Sequence, residues 1–292
     1  MSRFYLLTFA ILCGLFTGCE HVNIADIEET NGSNATPELK GNLRISVSQL
    51  EQTPLSAITR TGLVDVCSRL NFAIYNLSGS RIKQTNQVLG DTDFGTTSFQ
   101  LDEGTYQLVV LAHSSNGNPT MTDPAKIRFT NAQGFTDTFL YNDNITVGAE
   151  PQTRTLTLHR ITSLCRFVIN GDIPAGVSRM RFYYTGGSGA FNAATGLGSV
   201  NSKQDVKFDV TSGQKEFDLY TYLRDTEGTI HLKVYVLDAA DDVLLEREFN
   251  ISLAQGKMTI YSGDFFSGGD YDSTTTGINL NTDWDGEIKI TF

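Results

Sequence analysis

Arg69-Leu-Asn-Phe-Ala-Ile-Tyr75 sets Leu70, Phe72 and Ile74 on one side of the chain, the period of two that a half-buried β-strand requires. The same alternation stands upstream at Leu43-x-Ile45-x-Val47 and downstream at Tyr106-x-Leu108-x-Val110. Turn dipeptides separate these runs: Ser78-Gly79, Gly90-Asp91, Glu103-Gly104 and Asn116-Gly117, residue types that let the backbone reverse. Beyond Thr153 the pattern continues at Leu156-x-Leu158 and then over residues 166–169, 180–184, 206–210, 217–222, 230–237, 246–251 and 288–292. Short strands at this spacing, with no sustained helical period, predict an all-β chain built from β-sandwiches. Helix-like stretches are brief, Asp123 to Phe129 among them.

An internal repeat divides the chain. Cys67-Ser-Arg-Leu-Asn-Phe-Ala-Ile opens one half and Cys165-Arg-Phe-Val-Ile the other, while Gly104-Thr-Tyr-Gln-Leu-Val-Val is answered by Gly228-Thr-Ile-His-Leu-Lys-Val. Gly148 and Pro151 interrupt two apolar patterns, which places the boundary there and predicts an N-terminal sandwich over 41–152 and a C-terminal one over 153–292.

The N-terminus carries an address. A start with Arg3 leads into an apolar run from Tyr5 to Phe16 and ends at Leu15-Phe16-Thr17-Gly18-Cys19. A dozen apolar residues are too few to span a bilayer but suit a secretory signal. The Thr-Gly-Cys ending resembles a bacterial lipoprotein signal, which implies cleavage after residue 18 and acylation of Cys19, the lipid that fixes the chain to the outer membrane. Residues 19–40 are polar, with Asp26, Glu28, Glu29, Asn31 and Gly32. They read as a tether with an r.m.s. span of roughly 25 Å if it behaves as a flexible coil.

Composition narrows the function. The chain has 27 Gly, 6 Pro, 40% hydrophobic and 19% charged residues, the make-up of a folded domain rich in turns. Its net charge of −11 and the lack of any Lys/Arg stripe exclude nucleic acid as a partner class. Of four cysteines, Cys13 leaves with the signal and Cys19 takes the lipid. Cys67 and Cys165 fall in corresponding strands of separate halves, so they are expected as buried free thiols rather than a bridge.

Catalytic signatures are near-misses. No two of His21, His113, His159 and His231 stand at metal-ligand spacing, and no nucleotide loop is present, so no cofactor is expected. Gly186-Gly-Ser188-Gly-Ala190 approaches a nucleophile elbow, but Gly196 and Gly198 replace the helix that an elbow needs, which predicts a flexible loop. Asn281-x-Asp283-x-Asp285-Gly286 copies the first half of a calcium loop. The acid due at the twelfth position is absent, where Phe292 stands, and an Asp-Gly turn into a last strand is the competing reading. A glycan-binding or adhesive surface is the alternative function, with Trp284, Tyr183, Tyr184, Tyr220 and Tyr222 as the aromatic candidates; neighbouring Tyr183 and Tyr184 must point to opposite faces of a strand, so they cannot make one platform. Leu101-x-x-Gly104-x-Tyr106 reads as a tyrosine corner, a device of stability.

Cys165-Arg-Phe-Val-Ile-Asn-Gly-Asp-Ile-Pro174-Ala-Gly176-Val, continuing through Arg179-Met-Arg-Phe-Tyr-Tyr184 to Thr185-Gly-Gly, resembles the fimbrillin-associated anchor lipoproteins, the FimB-type fimbrial anchors of Gram-negative anaerobes. Arg69-Leu-Asn-Phe-Ala-Ile-Tyr75 and residues 101–110 are similar too. The resemblance implies two transthyretin-like β-sandwiches in tandem, no enzymatic activity, and a lipidated, surface-exposed subunit that holds a fimbrium to the outer membrane. Its implied partner is a fimbrial stalk subunit, joined by β-strand addition. Ile288-x-Ile290-x-Phe292 is either the strand offered to a partner or the closing strand of its own domain, and the strand over Leu43 to Val47 is the other element a partner could replace. The resembling stalk precursors lose their lipid to an arginine-directed cut. The corresponding bonds here follow Arg44 and Arg60, and an anchor is expected to keep both intact.

Overall fold

In a computed structural model the described residues are 41–51, 63–130, 134–267, 275–279 and 287–291. They form strands β1 (Leu43–Glu51), β2 (Arg69–Tyr75), β3 (Arg81–Val88), β4 (Thr96–Phe99), β5 (Gly104–His113), β6 (Ile127–Arg128), β7 (Thr138–Val147), β8 (Gln152–Arg160) and β9 (Ser163–Ile169). The remainder are β10 (Arg179–Gly187), β11 (Ala190–Phe191), β12 (Ser202–Asp209), β13 (Glu216–Thr221), β14 (Glu227–Leu237), β15 (Val243–Ala254), β16 (Met258–Gly263), β17 (Thr275–Asn279) and β18 (Glu287–Thr291). One short helix, α1 (Leu63–Val66), interrupts them. No helix among the described residues is long and apolar enough to cross a membrane.

The first sheet runs β3-β2-β5-β7-β8-β1-β4. β7 and β8 pair only at Phe139↔Arg160 and Leu140↔His159, so the sheet folds at that corner into two faces. Their inward side chains meet in one core: Leu70, Phe72, Leu108, Val110 and Phe139 from one face, Leu43, Ile45, Phe99, Leu156 and Leu158 from the other. The later strands make two sheets, β12-β10-β14-β15 and β13-β9-β16-β18-β17. Between them lies a core rich in aromatic rings, with Phe167, Phe182, Tyr184, Phe217, Phe249, Tyr261 and Phe265. These strands alternate as the sequence predicts, β10 most plainly with Met180, Phe182 and Tyr184 buried between half-exposed neighbours.

β2 and β5 depart from the half-buried reading. Ala73, Tyr75, Val109 and Leu111, which point away from the first core, are fully buried as well. Met121, Ile127, Phe129 and Phe135 lie over that face together with Phe191, Ala193 and Tyr222 from the second half. The runs Ala73-Ile74-Tyr75 and 108–112 are therefore apolar on consecutive residues because both faces of the strand leave water. The seam is also tied by backbone: β6 pairs with β11, and the Ala193 N–H donates to the Pro124 carbonyl at 2.8 Å. Residues 39–292 cluster as one compact unit.

Two expectations are corrected. Asp123 to Phe129 is not helical: the Asp123 carboxylate accepts from the Ala125 N–H at 2.8 Å in a turn, and Ile127–Arg128 is β6. Leu156-x-Leu158, assigned by pattern to the second half, lies in β8, which runs parallel to β1 in the first sheet. The strands change sheet between Arg160 and Ser163. Gly148 and Pro151 mark only the turn from β7 to β8.

Candidate functional site

The sequence offers two strands to a partner, over Leu43 to Val47 and at Ile288 to Phe292. β1 sits inside its sheet, antiparallel to β4 through Leu43↔Phe99 and Ile45↔Thr97, and parallel to β8 through Leu43↔Gln152 and Val47↔Leu156. Leu43, Ile45 and Val47 are buried in the first core, three alternate anchors of the kind strand addition uses. Immediately before them Asn42 acts as a clamp. Its amide donates to the Leu101 carbonyl at 2.9 Å and the Gly148 carbonyl at 3.4 Å, and its Oδ1 accepts from the Leu101 N–H at 3.0 Å. Its backbone carbonyl takes the Gln152 N–H at 3.0 Å. Gly41 precedes the clamp where a Cβ would lie 2.5 Å from the Phe99 carbonyl oxygen, so only glycine fits without displacing β4. Sequence reasoning missed both residues, because their partners are remote along the chain.

Arg44, one of the two arginines after which an anchor is expected to stay uncut, lies within this double ladder opposite Ser98 and Thr153. Both edges of the strand are already hydrogen-bonded, so β1 would have to leave the sheet before the bond after Arg44 could be cut. At the other end β18 runs parallel to β16 and antiparallel to β17. Ile290 is buried in the second core, so the C-terminal strand closes its own half here.

The other predicted positions sort by burial. Cys67 and Cys165 are free and buried, as expected; burial pushes the Cys67 thiol up to about 12 and also raises that of Cys165, which leaves both unreactive at neutral pH. The Tyr106 hydroxyl donates to the Asp102 carbonyl at 3.0 Å, completing the tyrosine corner. Ser188 is no nucleophile. It is fully buried, and its Oγ accepts the Val200 N–H at 3.1 Å and the Ala190 N–H at 3.2 Å. The expected flexible loop is instead close-packed: a Cβ on Gly186 would meet the Thr229 carbonyl oxygen at 2.3 Å.

Glycan-stacking aromatics fare no better. Tyr184 and Tyr222 are buried, and the Lys203 ammonium stands over the Tyr183 ring at 5.6 Å. Among the described residues no group of three or more His, Cys, Asp or Glu could hold a metal ion. Cys19, Arg60, Trp284 and the calcium-loop candidates Asn281, Asp283 and Asp285 lie outside the described residues.

The family model described as fimbrillin-A associated anchor proteins Mfa1 and Mfa2 matches residues 36–290. The chain belongs to this family. It is a non-enzymatic structural family of fimbrial anchor and assembly proteins, and membership implies a place at the cell surface with a fimbrium and its fimbrillin stalk. No curated protein matches the chain. Among solved structures it is similar to an adhesin described as putative from Bacteroides ovatus (14% identity, 82% of this chain and 88% of that one, TM-score 0.48). It is also similar to a fimbrial assembly protein from Parabacteroides distasonis (12%, 85% and 97%, TM-score 0.45) and to the fimbrial anchor protein Mfa2 from Porphyromonas gingivalis (10%, 70% and 81%, TM-score 0.41).

Proposed function

We propose that this chain is the lipid-anchored base of a fimbrium: an acyl group on Cys19 holds it in the outer membrane, a tether over 19–40 lifts it clear, and two transthyretin-like sandwiches in tandem carry the stalk subunit by β-strand addition. The first sandwich extends to Arg160, since β8 is hydrogen-bonded beside β1.

The observation that carries the reading is how β1 is held. The tether leads directly into the Asn42 clamp and a strand laddered on both sides. Tension between lipid and fibre then enters along the strand axis and loads its ladder bonds together in shear, rather than peeling them one at a time. Such a strand suits a permanent anchor that keeps its N-terminus, which is why the bonds after Arg44 and Arg60 stay uncut in this reading.

Changing Cys19 to Ala is expected to release the protein, and fibres built on it, into the medium. Unchanged membrane retention would overturn the lipid anchor. The N-terminus of protein recovered from assembled fibres separates anchor from stalk: acylated Cys19 supports the anchor, whereas Ile45 or Thr61 as first residue would make the chain a polymerising subunit.

A further inference from the structure

The segment 114–130 is a strap. It covers the outer face of β2 and β5 and reaches the second half at β6, and it is pinned where it leaves β5, at His113. The imidazole is fully buried. Its ring stands edge-on to Phe129 of the strap, with centroids 4.7 Å apart. Nε2 lies 2.7 Å from Asn71 Oδ1, and the Ser115 N–H donates to Nδ1 at 3.1 Å.

The proton on this ring is placed by its partners from two directions. Arg69, which can only donate, reaches Asn118 Oδ1 at 3.4 Å and the Asn116 carbonyl at 3.1 Å. Asn118 Oδ1 also takes a hydrogen from Asn71 Nδ2 at 3.0 Å, and Asn86 Oδ1 takes the other at 2.8 Å. Both amide hydrogens of Asn71 are thereby used, its Oδ1 is left as the acceptor, and the hydrogen shared with His113 belongs to Nε2. Independently, the Ser115 backbone N–H demands a lone pair on Nδ1. The neutral Nε2–H tautomer satisfies every group, and a second ring proton would satisfy none.

We propose that His113 is an acid-sensitive pin: proton uptake at Nδ1 sets one N–H against another and releases residues 114–130 from the first sheet, uncovering Ala73, Tyr75, Val109 and Leu111. Among the described residues the ring's hydrogen-bond partners are Asn71 and Ser115, neither of them a carboxylate. From β2 the ring faces Arg69, a cation; from the strap it faces Ser115 and Phe129; across β7 its partner is Thr138. Asp137, the acid just before β7, is engaged by Arg160 at 2.9 Å. Burial, with Arg69 in support, lowers the imidazole from its ordinary 6.5 to about 4. Once the strap is released, the His113 ring takes up its proton at the ordinary value, so acid favours opening. The opening constant therefore rises about tenfold per pH unit from about 6.5 down to about 4 and levels off below.

Two measurements on the full chain test this. Nitrogen-15 NMR of the histidine rings, with His113 assigned by substituting the other three, is expected to show the Nε2–H tautomer, neutral down to pH 5. An Nδ1–H tautomer, or titration near 6.5, would overturn the proposal. Amide exchange of residues 114–130, corrected for intrinsic rates, is expected to follow the tenfold-per-unit slope in the wild type and to lose it in His113→Gln. An equal slope in both chains would refute the pin, and if the variant does not fold the ring spectra of the unaltered chain still decide.

Discussion

The two halves solve one burial problem differently. In the second, two separate sheets face each other, and the core is a cluster of rings in mainly edge-to-face contact, with Phe167 at 5.5 Å from both Phe182 and Phe249 and 5.8 Å from Phe265. In the first, one sheet folds on itself around an aliphatic core, and the backs of β2 and β5 form a second interior shared with the other half. The first half thus uses the second as part of its own solvent shield. Halves that look like repeats along the chain are unequal partners in space.

If the shared seam couples them, damage to one core must be felt by both. Phe167→Ala removes a fully buried ring and is expected to cost about 3–5 kcal/mol. Chemical denaturation followed separately in each half should still give one transition, shifted as a whole; two separated transitions would break the coupling. Next in size is Asp137→Asn. The Arg160 guanidinium grips Asp137 through Nε at 2.9 Å and Nη2 at 2.9 Å, Thr162 adds a hydrogen bond at 2.9 Å, and both side chains are largely buried. Removing the carboxylate takes away the counter-ion of a largely buried guanidinium at the point where the chain crosses from β8 to β9, a loss of about 3 kcal/mol. Proteolysis at the crossing residues 161–162 should accelerate with it; an unchanged rate would mean that this ion pair does not hold the crossing.

The cysteines report the same comparison without a destabilising substitution. Cys67 belongs to the first core and Cys165 to the second. Labelling of the native chain by a thiol reagent is expected to be slow and to proceed at matched rates at both, since each waits for the common opening. Cys67 reacting far ahead of Cys165 would show that the first half opens alone. A linked Cys67–Cys165 peptide would contradict the free thiols.

What the sequence made legible follows the range of the interactions. Strands with one wet face announce themselves by alternation, which is why most of the second half is readable. β3 escapes detection because it is an edge strand exposed over most of its length, Arg81-Ile-Lys-Gln-Thr-Asn-Gln-Val88, with only Gln87 buried. β7 escapes because Asn142 to Asn144 interrupt its apolar ends. The alternation that marks β1 as a possible exchange strand is local and was visible, but Asn42 finds its partners 59 and 106 residues away. His113 likewise is one polar residue at the end of an apolar run until Asn71 is brought against it.

The tyrosine corner is the smallest of these effects and the most local. Tyr106 reaches back only four residues to Asp102, and its ring lies beside Gly104, where a Cβ would sit 3.6 Å from it. The repeated motif in the second half, Gly228-Thr-Ile230, replaces the tyrosine by an isoleucine that is buried in the core. The corner is therefore a feature of the first half alone. Tyr106→Phe keeps the ring and deletes one partly exposed hydrogen bond, an expected cost of about 0.5–1 kcal/mol. In a chain of this size that lowers the melting temperature by about 2–4 °C per kcal/mol. A larger loss, with labelling of Cys67 advanced over that of Cys165, would mean that the corner sets the stability of the first half separately, and the two halves would then have to be treated as independent unfolding units.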